Sequence, residues 1–552
     1  MGHRIIDQIG FHVRRLWPEI FFGAISLIIF WRLLSPGFIF AIDMVWPPSW
    51  TILPDYGRYL YSYPLQYLIV AFEHFVPLWV IQKILLIAIV YATGYLAYRF
   101  LPVPESRFAR VAAGLFYLAN PFVYARLIAG HWMLLAGYAL LPVALASSIR
   151  LAREASWRNA AYCGAALAFI GVWSIHMLIV ALGVATIGWS SHMVSRYRRQ
   201  QNRGAFRKDV GRALGALAIF GLLGAYWLVP AITATAPSNW SWAEWEAFSP
   251  QSVGVVPVGV RLLTLNGFWA EGTVWGMGFR WPQQFASFWI GVVGLGLLMV
   301  VGARRMRRAG GGLWLAIAVM GLVGVILSAG ATLGPLNHAL VRFVPFWGGF
   351  RESQKLIALT VLAYASLIGF GVSWVLSELK NMKKLARWSF MLALVLLLVS
   401  WISPLWFGLA GQLPVAQYPP VWDRLAQWHE NEPKRFLVLP WHRYSYFRFV
   451  GQIIDNPAYF AFWPDAVVSR NVELPGVRHT ETDPQYVALD AAIKSDASAA
   501  VVAPLLRSQG IQAVLQFDDI RDTDSYPYTF MKDRRHFKPI FSEGGATLFT
   551  VQ

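Results

Sequence analysis

Runs of about twenty apolar residues, separated by short polar gaps, recur from residue 18 to residue 407 of this 552-residue chain. A hydrocarbon core about 30 Å thick takes roughly 20 mostly apolar residues as a helix, so each run predicts one membrane span. The expected spans are 18–34, 79–98, 108–125, 131–149, 159–174, 176–192, 212–230, 285–302, 312–328, 355–376 and 388–407, about eleven transmembrane helices in all. The fifth and sixth come from one continuous apolar stretch. Both of its flanks are strongly basic and belong on one side, so it is divided at Ser174, Ile175 and His176 into a hairpin. From Gly408 the long runs stop. Shorter patterns follow: helical at 421–430, a strand at 435–439, helical at 485–494 and 499–508, and a strand at 511–517. A closing hairpin at 537–551 turns on Gly544 and Gly545. The chain thus reads as an α-helical polytopic membrane region, 1–407, followed by a C-terminal α/β domain, 408–552.

Composition agrees with that division. Hydrophobic residues are 57% of the chain and charged residues 14%, against roughly 25% charged in soluble globular proteins. The net charge is nonetheless +18. Nucleic-acid binding needs a basic stripe on a water-facing element, whereas these basic residues sit in short gaps between apolar runs. Lys and Arg gathered on one membrane face explain the surplus instead. With the N-terminus inside, the inner loops hold twenty-four Lys and Arg and the short outer loops six. The C-terminal domain is then extracytoplasmic. The first apolar run follows His12, Arg14 and Arg15 without a small-residue cleavage site, so it is expected to be retained. The single cysteine, Cys163, permits no intramolecular disulfide and no thiolate zinc site.

Three outer segments are long, 35–78, 231–284 and 331–354. Amphipathic pieces at 65–75 and 336–344 are expected to lie in the membrane interface against lipid. The inner loops are short, basic and without chemistry, which makes the outer face the working one. Soluble-enzyme motifs are missing, including phosphate-cradling Gly-rich loops, Gly-x-Ser-x-Gly and His-Glu-x-x-His. Asp522 and Asp524 have a metal-site spacing but sit in a polar stretch and read as a solvated turn.

The candidates for chemistry cluster at the outer helix ends. Asp43 is a lone carboxylate between Ile42 and Met44, just beyond the first span. Such a charge is costly near an interface unless used or paired, so it reads as a base, or else as a turn residue before Pro47 and Pro48. Asp55, after Pro54, reads as a turn residue. Asn120 and Pro121 break a helix, after which Arg126 and His131 face the outer side. Arg126 is suited to fork onto a phosphate or to snorkel toward headgroups. His176 sits at the tip of the fifth–sixth hairpin and reads as a hydrogen-bonded structural histidine. Arg351 and Lys355, four apart on the expected tenth span, share a helical face beside Glu352. Two cations at a helix N-terminus oppose the macrodipole and call for an anion, either Glu352 or a lipid phosphate.

The run Asn120-Pro121-Phe122-Val123-Tyr124, then Arg126, Ala129-Gly130-His131 and Gly137 to Pro142, resembles the membrane core of actinobacterial arabinofuranosyltransferases and related prokaryotic membrane proteins. Asp43 resembles the catalytic acid of the GT-C glycosyltransferase class, and residues 350–355 and Leu437 to His442 are similar to features of the same group. The resemblance implies a GT-C-like membrane glycosyltransferase of the prokaryotic cytoplasmic membrane. Its donor is a polyprenyl-phosphate-linked sugar and its acceptor an extracytoplasmic glycan, lipid or protein. It further implies Asp43 as base and Arg126, His131, Arg351 and Lys355 on the lipid phosphate. Trp240, Trp242, Trp245, Trp269, Asp55, His176 and Glu271 are left as contacts for sugar or acceptor, though interfacial anchoring is the commoner work of tryptophan. No second acidic pair matches the metal-dependent branch, so no cofactor is implied and a divalent metal is not indicated. A flippase for lipid-linked saccharide and a non-catalytic scaffold of the same fold are the rival readings, and no internal repeat supports the first.

Overall fold

A computed structural model describes every residue except 1, 53–59, 105, 201–202, 234–241, 273–277, 345–346, 470–472, 475–476, 479–483, 519 and 522–525. Asp55, Trp240, Asp522 and Asp524 lie outside the described residues. The chain is mostly helical, and among the described residues seven helices are long and apolar enough to cross a membrane. The number rises to ten when each of three bent pairs counts as one span. The fifth expected span is a helix of only 17 residues, Trp157–Trp173. The hairpin division holds: Ser174 is extended, and a new helix, Ile175–Gln200, begins directly after it.

The third span is broken where Asn-Pro stands, into Arg107–Leu118 and Pro121–Ala129, bent by 40°. Asn120 serves both ends of the break. Its Nδ2 donates to the Phe116 and Tyr117 carbonyls at 3.0 and 2.8 Å, closing one helix, while its Oδ1 accepts from Val123 N at 3.1 Å, opening the next. Pro121, lacking an N–H, fits the first helical position. The tenth span departs from expectation at its start. Residues 351 and 352 form a bend, Ser353–Leu356 is a 3-10 turn, and the α-helix runs only over Ile357–Glu378. Arg351 and Lys355 therefore do not share an α-helical face.

The outer amphipathic pieces are helices, Tyr63–Glu73 and Gly334–Phe343. The first exposes Tyr67, Leu68 and Phe72 and the second Leu336, Val341 and Phe343, the pattern of helices lying in an interface.

Strands belong almost entirely to the C-terminal domain. In chain order they are β1 Phe38–Ile39, β2 Val415–Ala416, β3 Phe436–Leu439, β4 Tyr444–Phe447, β5 Gln452–Asp455, β6 Ala466–Val467, β7 Glu473–Leu474, β8 Val477–Arg478, β9 Ala513–Phe517, β10 Ile520–Arg521, β11 Phe537–Glu543 and β12 Ala546–Val551. A five-stranded mixed sheet has the order β11-β12-β9-β3-β6, with β3 parallel to both neighbours. Buried parallel strands are apolar on both faces, and β3 obeys. Phe436 and Val438 join the main core, while Leu437 and Leu439 join a second core under the helices Val487–Lys494 and Ala499–Ser508. The helix Val421–Asn431 and the β11–β12 hairpin stand where the pattern puts them. The antiparallel pair β4–β5 has no expected counterpart.

That pair grips the first outer segment. β1 pairs with β2 in antiparallel register, Asp455 N donates to the Ile42 carbonyl at 2.9 Å, and the Tyr418 hydroxyl donates to the Trp46 carbonyl at 2.8 Å. Phe40 packs edge-on against Tyr418 and Phe449. One continuous apolar core therefore runs from the membrane helices into the C-terminal domain.

Candidate active site

Asp43 sits on a tight turn. Ala41 and Met44 exchange backbone hydrogen bonds at 3.2 and 3.1 Å, with Ile42 and Asp43 at the tip. The turn rests on the end of the Pro121–Ala129 helix, where Asp43 N donates to the Ala129 carbonyl at 2.9 Å. Gly130 permits this approach. Its φ is +85°, and a Cβ there would stand 2.5 Å from that of Met44. The next residue, His131, is thereby aimed at Asp43.

From there a chain of polar contacts runs inward. His131 Nε2 donates to Asp43 Oδ2 at 2.7 Å, and Arg126 Nη1 donates to His131 Nδ1 at 3.0 Å. A guanidinium only donates, so Nδ1 is the acceptor and the ring proton is on Nε2. Arg126 Nη1 also donates to Glu352 Oε2 at 2.8 Å, and Nη2 donates to Gln354 Oε1. Lys355 Nζ lies 3.7 Å from the same Glu352 oxygen. Phe122 and Phe268 carry the guanidinium on their faces at 5.5 and 4.9 Å. Arg126 is 0% exposed, and Asp43, 31% exposed, is the member open to solvent.

On its far side Asp43 meets the C-terminal domain. The Tyr444 hydroxyl, from β4, donates to Asp43 Oδ1 at 2.6 Å. Burial alone would raise the Asp43 carboxyl, but the hydrogen bond and electrostatic interaction with His131, and then the hydrogen bond from Tyr444, outweigh it and hold the group below its ordinary value. Each carboxylate oxygen keeps a second lone pair for another donor. A cavity of about 270 Å³ opens beside it, lined by Asp43, Trp46, Trp50, Trp132, Arg443 and Asp455 among others. Arg443 and Asp455 neutralise one another in a fork, with Nη2 to Oδ2 at 2.8 Å and Nε to both oxygens at 3.1 and 3.2 Å.

Charge is divided across the site. Lys355 lies within electrostatic reach of Arg126 and Arg351 and of the carboxylates Glu352 and Asp43. Among the described residues, the buried Arg126 Nε and Gln354 Nε2 have no hydrogen-bond partner, so donors outnumber acceptors there. On the cavity side, Asp43 stands beside the Arg443–Asp455 pair. Among the described residues no three His, Cys, Asp or Glu side chains come together as a metal ligand set.

No family model and no curated protein matches the sequence. Solved structures do match in shape. The arabinofuranosyltransferase AftD from Mycobacteria superposes over 97% of this chain with a TM-score of 0.66 at 16% identity. A mutant of the same enzyme superposes over 97% with a TM-score of 0.62 at 17% identity. The fold is GT-C-like. This chain spans 40% and 41% of the length of those two chains. The oligosaccharyltransferase of Archaeoglobus fulgidus matches 91% of this chain and 65% of its own at a TM-score of 0.43 and 13% identity.

Within this GT-C-like fold, Asp43, Arg126, His131 and Lys355 come together around Glu352, with Arg351 at the edge over Phe248 at 4.6 Å. The other sequence candidates stand elsewhere. Glu271 is buried in an ion pair with Arg261 and also accepts from Gln283 Nε2 at 2.9 Å; burial raises its carboxyl. It holds the turn that carries Phe268 onto Arg126, since Phe268 N donates to it at 3.3 Å. His176 is in contact with the Gly349 carbonyl at 2.8 Å and ties the hairpin to the segment before the tenth span. Trp242 stacks on His338 with centroids 3.7 Å apart, and Trp269 packs on Phe248 and Phe268. None of these four lines the cavity. Tyr444, Arg443 and Asp455 carry no mark in the sequence, and Gln354 falls within the 350–355 run without a role of its own. Only the run Arg443-Tyr444 after the Leu437–His442 motif offered a hint, and β4 is too short and mixed to announce a strand.

Proposed function

We propose that this integral membrane protein is a glycosyltransferase that moves a sugar from a polyprenyl-phosphate donor to an acceptor hydroxyl on the outer face. The reading rests on one observation: a partly exposed carboxylate, Asp43, stands between a cavity and a buried cluster in which Arg126 and Lys355 gather on Glu352. A phosphodiester carries one negative charge, so the cluster, through Lys355 and Arg351 with the Arg126 charge behind them, suits the donor phosphate. The cavity is unsuited to an anion and takes the acceptor. At about 270 Å³ it lies just under the roughly 300–1,000 Å³ of pockets for drug-sized ligands, enough for one terminal unit of an acceptor.

In this reaction the acceptor oxygen bonds to the anomeric carbon, the bond from that carbon to the phosphate oxygen breaks, and polyprenyl phosphate leaves with the electron pair. Asp43 takes the hydroxyl proton. A carboxylate held below its ordinary value is a weak base, which suits a hydroxyl that becomes acidic only as its oxygen bonds to carbon. The leaving phosphate gains a charge, and the cations of the cluster stabilise it.

Two measurements test this. Lys355→Ala is expected to weaken binding of a polyprenyl-phosphate by about 1.5–3 kcal/mol, the value of one charge-assisted contact. Unchanged affinity would move the phosphate away from this cluster. For orientation, residues 1–407 are proposed as the membrane region of a prokaryotic cytoplasmic membrane with an inner N-terminus, and 408–552 as an extracytoplasmic domain. The native thiol, Cys163, is buried. A membrane-impermeant thiol reagent added outside cells is therefore expected to label Ser508→Cys and to miss Gln200→Cys; the reverse pattern overturns the topology.

A further inference from the structure

Two hydrogen bonds fix the Asp43 carboxylate, and they come from different regions of the chain. The His131 bond is braced from behind by Arg126 and Glu352, within the membrane region. The Tyr444 bond crosses 401 residues of sequence and originates in the C-terminal domain. Its strand is itself anchored to the same turn, because β5 pairs with β4 and Asp455 N holds the Ile42 carbonyl. Gln452 Nε2 adds a longer contact to the Phe40 carbonyl at 3.4 Å. The β4–β5 hairpin therefore fastens both the backbone and the side chain of the Asp43 turn.

We infer that Tyr444 is a positioning residue for Asp43, so that the C-terminal domain completes the reacting site rather than merely flanking it. The inference rests on the glycosyl-transfer reading for its kinetic consequence, but the contact itself does not depend on that reading.

The direction of the bond follows from the surroundings. Burial, and then the charges of Asp43 and Asp455, push the Tyr444 phenol well above its ordinary value, so it keeps its proton and donates. The donated bond favours the ionised carboxylate and orients its free lone pairs toward the cavity. On the membrane side the groups facing Asp43 are His131, Arg126, Glu352 and Lys355; on the domain side they are Tyr444, Asp455 and Arg443. Arg443 and Asp455 pair with one another, and Glu352 is held by Arg126 and Lys355. The contacts with His131 and the hydrogen bond from Tyr444 together set the carboxylate against its own burial. Removing one shifts that balance toward the protonated form.

Tyr444→Phe in the full chain keeps the ring and removes only the hydroxyl. Transfer from a polyprenyl-phosphate sugar by the protein in lipid is expected to show kcat lowered about tenfold or more, KM for the donor unchanged, and the acid limb of the pH–rate profile moved to higher pH. Tyr446→Phe, two residues along the same strand, is expected to match wild type in all three. Infrared titration of Asp43, taken as the difference from Asp43→Asn, reads the same shift without any turnover. An upward shift in Tyr444→Phe supports the inference even if no donor is transferred, and that result would fault the glycosyl-transfer reading alone. Wild-type kcat with an unmoved limb and an unmoved infrared midpoint in Tyr444→Phe overturns the inference and leaves the transfer reading standing.

Discussion

Asp43→Asn is expected to lower glycosyl transfer by at least about 10²-fold, the smaller end of what a positioned general base contributes. The amide keeps the shape of the side chain and can still accept at one atom, so the turn of residues 41–44 and its seat on Gly130 should survive. What is lost is a group that can take a proton. The variant is therefore expected to insert, to remain folded and to bind a polyprenyl-phosphate as wild type does, because the cations that suit the phosphate are on the other side of His131. Transfer from a labelled polyprenyl-phosphate sugar by purified protein in lipid measures the effect. Turnover within a few-fold of wild type would remove Asp43 from the chemistry. Glu271 would be a poor substitute, since it is buried in its pair with Arg261.

Glu352→Gln is expected to cost about 3–5 kcal/mol of stability, the usual result of leaving one member of a buried pair charged and alone. Arg126 is 0% exposed and has Glu352 as its carboxylate partner. The Arg126→Met, Glu352→Leu double variant is expected to recover part of that loss, because a buried ion pair replaced by apolar groups of similar size is often neutral, while Lys355 still lacks Glu352. Its turnover is expected to stay low, since His131 Nδ1 then has no donor to fix the ring toward Asp43. Unfolding in mixed micelles, with transfer measured on the same samples, separates the two effects. A Glu352→Gln protein as stable as wild type would mean that the pair contributes nothing. The pH dependence follows in sign. Burial alone would raise the Glu352 carboxyl, but Lys355 and the neighbouring cations, including Arg126 and Arg351, hold it well below the ordinary carboxylate range. A depressed value means the contribution is fully present above the unfolded-state value and is lost as pH falls through the folded-state one. Wild type is thus expected to keep this contribution down to the acid end of the carboxylate range, and Glu352→Gln to show no such acid-linked loss.

The membrane region was legible because its signals are local. A bilayer demands long apolar helices, and a helix break demands Asn-Pro or its like, so the division at Ser174 and the break at Asn120 could be read from adjacent residues. The same holds for β3, β9 and the β11–β12 hairpin, whose alternation and turn glycines are written within a few positions. Local reading failed where two elements compromise. The helical face expected to carry Arg351 and Lys355 is a bend and a 3-10 turn, because Lys355 is buried against Glu352 beside Arg126.

Sequence by itself determined that this chain spans a membrane, that its chemistry-bearing residues gather at helix ends, and that Asp43 is an isolated carboxylate needing a partner. Only the tertiary structure decided what those partners are. Arg126 meets Glu352 across 226 residues and Tyr444 meets Asp43 across 401. Charge and hydrogen-bond pairing of that kind leaves no periodic trace in a chain. A buried guanidinium and one at a headgroup are the same letter, and a tyrosine on a short strand resembles any other. The difference lies in which groups the fold removes from water together, because there an unpaired charge is costly and a paired one is held in place.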